Sequence, residues 1–456
     1  MQHFDSIIIG SGQAGTPLVF KMASNNKKVA FIEKKTVGGT CLNVGCTPTK
    51  AYVASARRIW DAYNGEELGI EIPDGTKANL KKIKERKDSL ISKSVNGIQN
   101  GIEKNNNIHF FPGKATFCGP KEVEINGEII TAPNIYINVG AKAFIPDVFK
   151  SVPYLTNESI LELEKIPGHL IVIGGSYIGL EFGQMFRRFG SKVTIIERSE
   201  RLVYREDVET SAAIKEILEQ EDIDIRLNST VSGAENSKSG ICLTLQADGE
   251  QEILTGSHVL VAVGRTPNTS DLNLEATHIK TDEKGFIPVN DKLETEVNGI
   301  FALGDCNGKG AFTHTAYNDY EIIADNMFGG RQRKVSDRIT TYGLYIDPPL
   351  GRVGLTRQEA LQLGYTLLES KRPMNRIARA KEKGETNGFM SAIIDADTNR
   401  ILGAAVLGVG GDEIISSLVN IMYADKPYTV IRDSVQPHPT VSELIPTMLE
   451  NPEPVH

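Results

Sequence analysis

The stretch SIIIGSGQAG at residues 6–15 returns 164 positions later as LIVIGGSYIG at 170–179, and this duplication constrains the fold more than any other feature of the chain. Each copy reads as an apolar strand, a glycine turn, a helix and a second strand ending in glutamate: VAFIE at Glu33 and VTIIE at Glu197. The turn residues are Gly10, Gly12 and Gly15 in the first copy, and Gly174, Ser176 and Gly179 in the second. Glycines at this spacing let the backbone approach a pyrophosphate, whose charge rests on the helix N-terminus. The acidic residue then accepts hydrogen bonds from an adenosine ribose. One such turn signals little. Two in register, each with its glutamate, predict an α/β chain with two Rossmann-like dinucleotide-binding domains, and plain βαβ turns would leave both glutamates unexplained. Ser176 replaces the middle glycine and is small enough for the second site to survive with a slightly displaced pyrophosphate. Glu197 favours NADH, because a carboxylate repels a 2′-phosphate, while Arg198 and Arg201 offer that phosphate a partner. Both nucleotides stay open at this point.

A chain of 456 residues is too long for one compact core. IYINVG ends a further strand at Gly140, HVLVAVGRTPN passes Gly264 and Arg265, and NGIFALGDC places Asp305 to meet a ribityl or ribose hydroxyl. Residues 79–105 read as a long amphipathic helix with Ile83, Leu90, Ile91, Val95, Ile98 and Ile102 at helical spacing, and its KKIKERK run as the solvated face. From about 337 the pattern changes. GFMSAIIDADTNRILGAAVLG reads as two strands around a polar turn and DEIISSLVNIMYA as a helix, giving a C-terminal α+β domain without nucleotide signals. The expected division is 1–147 completed by 276–336 for the first nucleotide, 148–275 for the second, and 337–456 for the α+β domain.

A net charge of −8 argues against nucleic acid or an anionic membrane surface as partner. The N-terminus has neither the basic segment nor the apolar core of a signal peptide, and no apolar run approaches the roughly 18 residues of a membrane span. Five cysteines, at 41, 46, 118, 242 and 306, are too few for a secreted disulfide scaffold. A cytoplasmic location is expected. A close cysteine pair in that compartment is more often catalytic or metal-binding than structural.

Such a pair stands in GGTCLNVGCTPTK, residues 38–50. Thr47 and Pro48 read as a helix start, which puts Cys46 at the mouth of a helix through TKAYVASARRIW. A thiolate there is stabilised by unpaired amides and the helix dipole. Lys50 follows Cys46 by four residues, on the same helical face. A zinc site lacks further ligands at a recognisable spacing, so no resident metal is expected. A dithiol beside a bound redox cofactor fits better than a structural disulfide. Cys118, Cys242 and Cys306 read as structural.

GGTCLNVGCTPTK, the paired nucleotide motifs, the YIGLE stretch at 177–181, VGRTPN, LGD and HPTVSE at 438–443 together resemble the class I pyridine nucleotide–disulfide oxidoreductases over essentially the whole chain. The resemblance implies FAD in the first Rossmann domain, with Gly39, Thr40 and Gly140 beside it, and NADH or NADPH in the second. It implies that the C-terminal domain forms a two-fold homodimer with active sites at the interface. Carried over by residue, Cys46 is the thiolate facing the flavin and Cys41 the thiol that engages substrate. Lys50 and Glu181 pair where hydride arrives, Tyr177 covers the nicotinamide pocket, and Asp305 holds the ribityl chain. His438, from the other subunit, is the base for Cys41, oriented by Glu443. Thr440 and Glu443 also match a capping box, a reading that leaves His438 unexplained.

Three stretches, FTHTAYNDYEI, DPPLGRVGLT and ARAKEKGETNGFM, resemble a mercuric-reductase-like bacterial subgroup that includes copper-reducing flavoproteins of reactive-chlorine resistance. The chain ends LENPEPVH without the vicinal cysteines that mercuric reductases usually carry, so mercury is not the expected physiological substrate. A small-molecule or soft-metal substrate is expected. The alternatives are a dihydrolipoamide dehydrogenase and, from another class, a redox sensor that does not turn over. His314 and Tyr317 read as packing near the flavin.

Overall fold

In the computed structural model, which describes residues 1–247 and 249–455, the duplication is visible strand by strand. The first sheet is wholly parallel and runs Ile300–Ala302, Asn134–Ile137, Ser6–Ile9, Val29–Glu33, Ile108–Pro112. The second runs His258–Val261, His169–Ile173, Lys192–Ile196, Asp224–Arg226, again parallel and in the same order. Even the insert before the last strand of each copy repeats. A three-strand antiparallel meander spans Ala115–Gly119, Glu122–Ile125 and Glu128–Thr131 in the first, and Ser229–Ser237, Gly240–Ala247 and Glu250–Gly256 in the second. Parallel strands covered on both faces must be continuously apolar. SIII is accordingly buried at every position and HLIVI at all but its first.

The glycine turns follow from close approach. Gly10 (φ +102°) and Gly174 (φ +110°) lie where an added Cβ would sit 2.3 Å from the Asn138 carbonyl oxygen and 2.5 Å from that of Ala262. Ser176 is accommodated because its backbone is extended, at φ −115° and ψ −175°. A Cβ on Gly12, its counterpart, would meet the Asn138 side chain at 2.8 Å, whereas the second copy has Ala262 in place of that asparagine. The displacement expected at Ser176 therefore has no steric cause in the turn.

The C-terminal part is a six-stranded antiparallel sheet ordered Thr341–Leu344, Leu350–Gly354, Ile401–Leu407, Phe389–Asp395, Leu367–Pro373, Glu453–Pro454, with the helix Gly411–Tyr423 packed on it. Two helices carry the cysteine region: Cys46–Tyr63, the cysteine helix, and Leu80–Glu103 behind it. One core joins them to the second nucleotide unit and to the C-terminal sheet, through Tyr52, Ala56, Leu80, Phe186, Leu344 and Leu407. Two expectations shift. The helix starts at Cys46 itself with Gly45 before it, so Thr47 does not cap it and Pro48 falls in the first turn, where its missing N–H costs nothing. The KKIKERK run is not wholly solvated: Lys87 is 1% exposed. Its ammonium reaches Leu161 O at 3.2 Å, Glu162 Oε1 at 2.8 Å and Asp88 Oδ1 at 2.8 Å, the pairing a buried charge requires. Among the described residues no helix is long and apolar enough to cross a membrane.

Candidate active site

Both glycine turns and the cysteine pair open into one continuous cleft of about 2150 Å³. At the first turn it is lined by Gly10, Gly12, Glu33, Gly39, Thr40 and Gly140, and at the second by Gly174, Tyr177, Glu197 and Gly264. Cys41, Cys46, Lys50, Glu181, Arg265 and Asp305 line the stretch between them. Gly15 and Gly179 stand behind the turns, each holding the space for the backbone. A Cβ there would lie 2.1 Å from Gly10 O and 2.0 Å from Gly174 O.

The two glutamates are held alike. Glu33 accepts the N–H groups of Ser11 at 2.9 Å and Lys35 at 2.8 Å, while Glu197 accepts those of Gly175 at 2.7 Å and Ser199 at 2.8 Å. Each carboxylate is thus fixed across its turn, at equivalent positions, with lone pairs left for a ribose. Gly140 (φ +65°) and Gly264 (φ +138°) have no atom within 4 Å of an added Cβ, so the backbone there faces the open cleft. The residues fit a dinucleotide in each half. Arg201 lies over the Tyr204 ring at 4.7 Å and donates to Tyr204 O at 3.1 Å, while Arg198 is exposed. Asp305 is paired with Arg265, whose guanidinium also donates to Ala141 O, and burial pushes the Asp305 carboxyl up.

Cys41 and Cys46 are both free of a disulfide bond. Cys46 opens its own helix and also lies 3.1 Å from Thr313 Oγ1, the first residue of the helix Thr313–Phe328. Two helix N-termini therefore converge on one sulfur. The hydrogen bond from the Cys41 thiol draws the Cys46 pKa down to about 6, with Thr313 and Lys50 adding to it against burial. The same shared proton, with burial, pushes Cys41 up. At neutral pH the pair is one thiolate and one thiol.

The neighbours of this pair form a zipper. Lys50 Nζ meets Glu181 Oε2 at 2.7 Å, and Glu181 Oε1 accepts the Tyr345 N–H at 3.0 Å. One helical turn on, Gln184 accepts the Asp347 N–H at 2.7 Å and donates to Asp347 O at 2.8 Å. One turn further, Arg188 reaches the Asp347 carboxylate at 2.5 Å and Glu221 at 2.7 Å. Arg57, two turns after Lys50, also pairs with Asp347. Residues 345–347 are thereby stitched to one face of the helix Tyr177–Phe189 and to the cysteine helix, and the Lys50 ammonium sits 4.3 Å over the Tyr345 ring.

Sequence reasoning missed Thr313, Asn138, Tyr345 and Asp347. Asn138 was visible as the one polar residue closing the apolar run of IYIN; its amide accepts the Gly15 N–H at 2.9 Å and donates to Leu303 O at 2.8 Å. The other three act across long sequence separations that no local pattern records.

His438 and Glu443 stand apart from the cleft. His438 Nδ1 is 2.9 Å from Glu443 Oε2, with the His438 side chain 77% exposed and the glutamate 12%. Thr440 and Glu443 exchange the reciprocal bonds of a capping box at 3.4 and 3.2 Å. They lead only into the short turns Ser442–Leu444 and Ile445–Met448, not a long helix. His314 donates its Nε2 hydrogen to Thr341 O at 2.6 Å and stacks on Phe312; it and the exposed Tyr317 line the cleft. Cys306 is fully buried, Cys242 lies 3.2 Å from Thr255 Oγ1, and Cys118 is exposed, which its structural reading did not foresee.

The sequence profile described as pyridine nucleotide-disulphide oxidoreductase matches residues 4–319, and that of the corresponding dimerisation domain matches 340–449. A mercuric reductase of Staphylococcus aureus is 33% identical over 96% of this chain and 81% of its own length. A dihydrolipoyl dehydrogenase of Thermus scotoductus is 34% identical, over 100% of this chain and 98% of its own. The solved Cu(II) complex of the HOCl-induced flavoprotein disulfide reductase RclA from Escherichia coli superposes with a TM-score of 0.89, at 31% identity over 98% of this chain and 99% of that one.

Proposed function

The chain belongs to the pyridine nucleotide-disulphide oxidoreductase family, whose members are NAD(P)H-dependent flavin disulfide oxidoreductases, and on that premise we propose the path of its electrons. They pass from NAD(P)H, by way of FAD and the Cys41/Cys46 pair, to a soft metal ion of the Cu(II) or Hg(II) type or to a small reactive disulfide. The observation that carries this reading is the placement of the pair, with Cys46 opening its helix 3.1 Å from Thr313 Oγ1. The proton it shares with Cys41 draws the Cys46 pKa down to about 6 and pushes Cys41 up. A thiolate beside a thiol is what two-electron exchange with a disulfide needs, and thiolate sulfur is the ligand soft metals prefer. The similarity to a reductase solved with Cu(II) supports the metal as the first substrate to try.

In this reading the glycine turn at 10–15, Glu33, Gly39, Thr40, Gly140, Arg265 and Asp305 hold FAD. Gly174, Tyr177, Gly179, Glu197 and Gly264 hold the nicotinamide nucleotide. Residues 1–147 with 276–336, 148–275 and 337–456 form the three domains. FAD, when bound, supplies the means of taking hydride from the nicotinamide and passing an electron pair to a disulfide. Cys46 keeps its negative charge through the two helix N-termini, and Lys50 with Glu181 fixes the charge beside it. Cys41 meets the substrate. Its proton goes to Nε2 of His438 from a second copy, while Glu443 holds the Nδ1 hydrogen and so sets the tautomer. The dimerisation domain matches over 340–449, and the homodimer completes the site. Glu197, fixed by two backbone amides, with Arg201 engaged by Tyr204, favours NADH over NADPH. A cytoplasmic location, where thiols are kept reduced, suits a dithiol that is cycled.

The test is NADH and NADPH oxidation by the holoenzyme against Cu(II), Hg(II), lipoamide and oxidised glutathione, in wild type and Cys41→Ser. Dithiol-dependent turnover with a metal ion, and little with lipoamide, is expected. Fast lipoamide turnover instead makes the protein a dihydrolipoyl dehydrogenase, as its Thermus relative is named. No multiple turnover with any acceptor leaves the redox-sensor reading.

A further inference from the structure

Glu206 is 2% exposed, yet its carboxylate is only half satisfied. Oε1 accepts the Tyr342 hydroxyl at 2.6 Å, while Oε2 has no hydrogen-bond partner. The nearest cation, Arg352, stands 3.8 Å from Oε2 and is engaged by Asp207 at 2.9 Å instead. A buried carboxylate oxygen left unpaired costs stability, so a plain strut between these segments would have been better made with Arg352 turned onto Glu206. What Glu206 does hold is one aromatic ring.

That ring backs Tyr177, which covers the nicotinamide pocket in the proposed reading and has to swing aside to admit the nucleotide, and so acts as its gate. Tyr342 stacks on Phe312, with centroids 5.4 Å apart and planes at 14°. Tyr177 stands T-shaped to both, 5.6 Å from Tyr342 and 5.9 Å from Phe312. Glu206 is also wired to the second glycine turn. Its N–H donates to Val203 O at 2.7 Å, and the Val203 N–H donates to Gly175 O at 2.8 Å, inside the turn. Val203 has φ +39°, a conformation that a β-branched residue adopts only under strain. A strained link thus runs from the backbone that would meet the cofactor's phosphates to the carboxylate that pins Tyr342.

We propose that Glu206, through Tyr342, is the latch that keeps Tyr177 shut over the nicotinamide end of the cleft. It is a positioning residue: it touches neither sulfur nor the cleft itself. Tyr177 moves aside only by giving up its T-shaped contact with a ring that cannot follow it, and the hydroxyl bond is what stops that ring from following. Releasing Tyr342 lowers the cost of opening, so the oxidised nucleotide binds more tightly. The inference rests on the reading of Tyr177 as the gate.

Calorimetric titration of the oxidised holoenzyme with NAD⁺ reads the latch without turnover, flavin absorbance serving to count folded, loaded sites. Tyr342→Phe, which keeps the ring and loses the hydroxyl, is expected to lower Kd by about three- to ten-fold, the scale of one net hydrogen bond, and Glu206→Gln, whose amide oxygen still accepts that hydroxyl, to lower it by less. The double variant is expected to gain no more than the stronger single one, and Tyr342→Phe to have no effect in a Tyr177→Ala background. Damage to a merely structural contact moves Kd the other way, so weaker binding in both variants overturns the latch. A Kd unchanged in Tyr342→Phe but shifted in Tyr177→Ala overturns the latch and leaves the gate standing. A wild-type Kd in Tyr177→Ala removes the gate, and the latch with it.

Discussion

Lys50 Nζ lies 2.7 Å from Glu181 Oε2, and this one ion pair joins the helix that Cys46 opens to the helix that Tyr177 opens. The two partners act on the Cys46 thiolate with opposite sign, the ammonium lowering its pKa and the carboxylate raising it.

Lys50→Met is therefore expected to raise the thiolate midpoint of the reduced protein above about 6, and Glu181→Gln to lower it. Thr313→Val removes a hydrogen bond to the thiolate and raises it too. Each shift should be about half to one pH unit, since the pair is partly solvated. Thiolate absorbance at about 240 nm, followed against pH, reads the midpoint directly. Because the reactive form is the thiolate, dithiol-dependent turnover falls as pH drops through that midpoint. Shifts of the same sign in Lys50→Met and Glu181→Gln contradict the electrostatic account.

The two glycine turns should be separable. In Gly10→Ala the new Cβ sits 2.3 Å from the Asn138 carbonyl at φ +102°, and the purified protein is expected to be colourless. Gly179→Ala brings its Cβ 2.0 Å from Gly174 O and should leave the yellow colour while weakening NAD⁺ binding. Absorbance at about 450 nm and calorimetry check both, each site failing alone because each Rossmann unit carries its own nucleotide.

Arg188 is 5% exposed and serves two carboxylates, Glu221 and Asp347. Arg188→Met leaves Glu221 buried without its cation and Asp347 with Arg57 alone, a loss on the order of 3–5 kcal/mol for a broken buried pair. The first thermal transition should fall accordingly, and a midpoint unchanged to within about 1 °C rules out the zipper as a source of stability.

What could be read from residues alone was whatever the chain writes locally. Gly10 to Glu33 and Gly174 to Glu197 lie within single βαβ units, so spacing and turn chemistry carried them, and Cys41 and Cys46 sit within two turns of chain. The Asp347 zipper was illegible because its partners, Arg57, Gln184 and Arg188, lie 290, 163 and 159 residues away. Lys87 misled for a related reason. A lysine in a charged run reads as solvated until a distant turn, here Leu161 and Glu162, closes over it. The start of the cysteine helix slipped because Thr-Pro resembles a cap followed by its first residue, while the chain turns two residues earlier at Gly45.

His438 and Glu443 are 2.9 Å apart but outside the cleft that holds Cys41, which accords with the proposal that this base serves the site of a second copy. In a two-fold dimer each site takes its cysteines from one protomer and its histidine from the other. Cys41→Ser and His438→Ala homodimers are then each expected to be inactive. Co-expressed in equal amounts, they form mixed dimers as about half of all dimers. One site of each mixed dimer has both residues altered; the other has an intact Cys41 facing an intact His438. The mixture should therefore recover about a quarter of wild-type activity. If His438 instead served the cysteines of its own chain, every site in every mixed dimer would lack one residue, and co-expression would recover nothing.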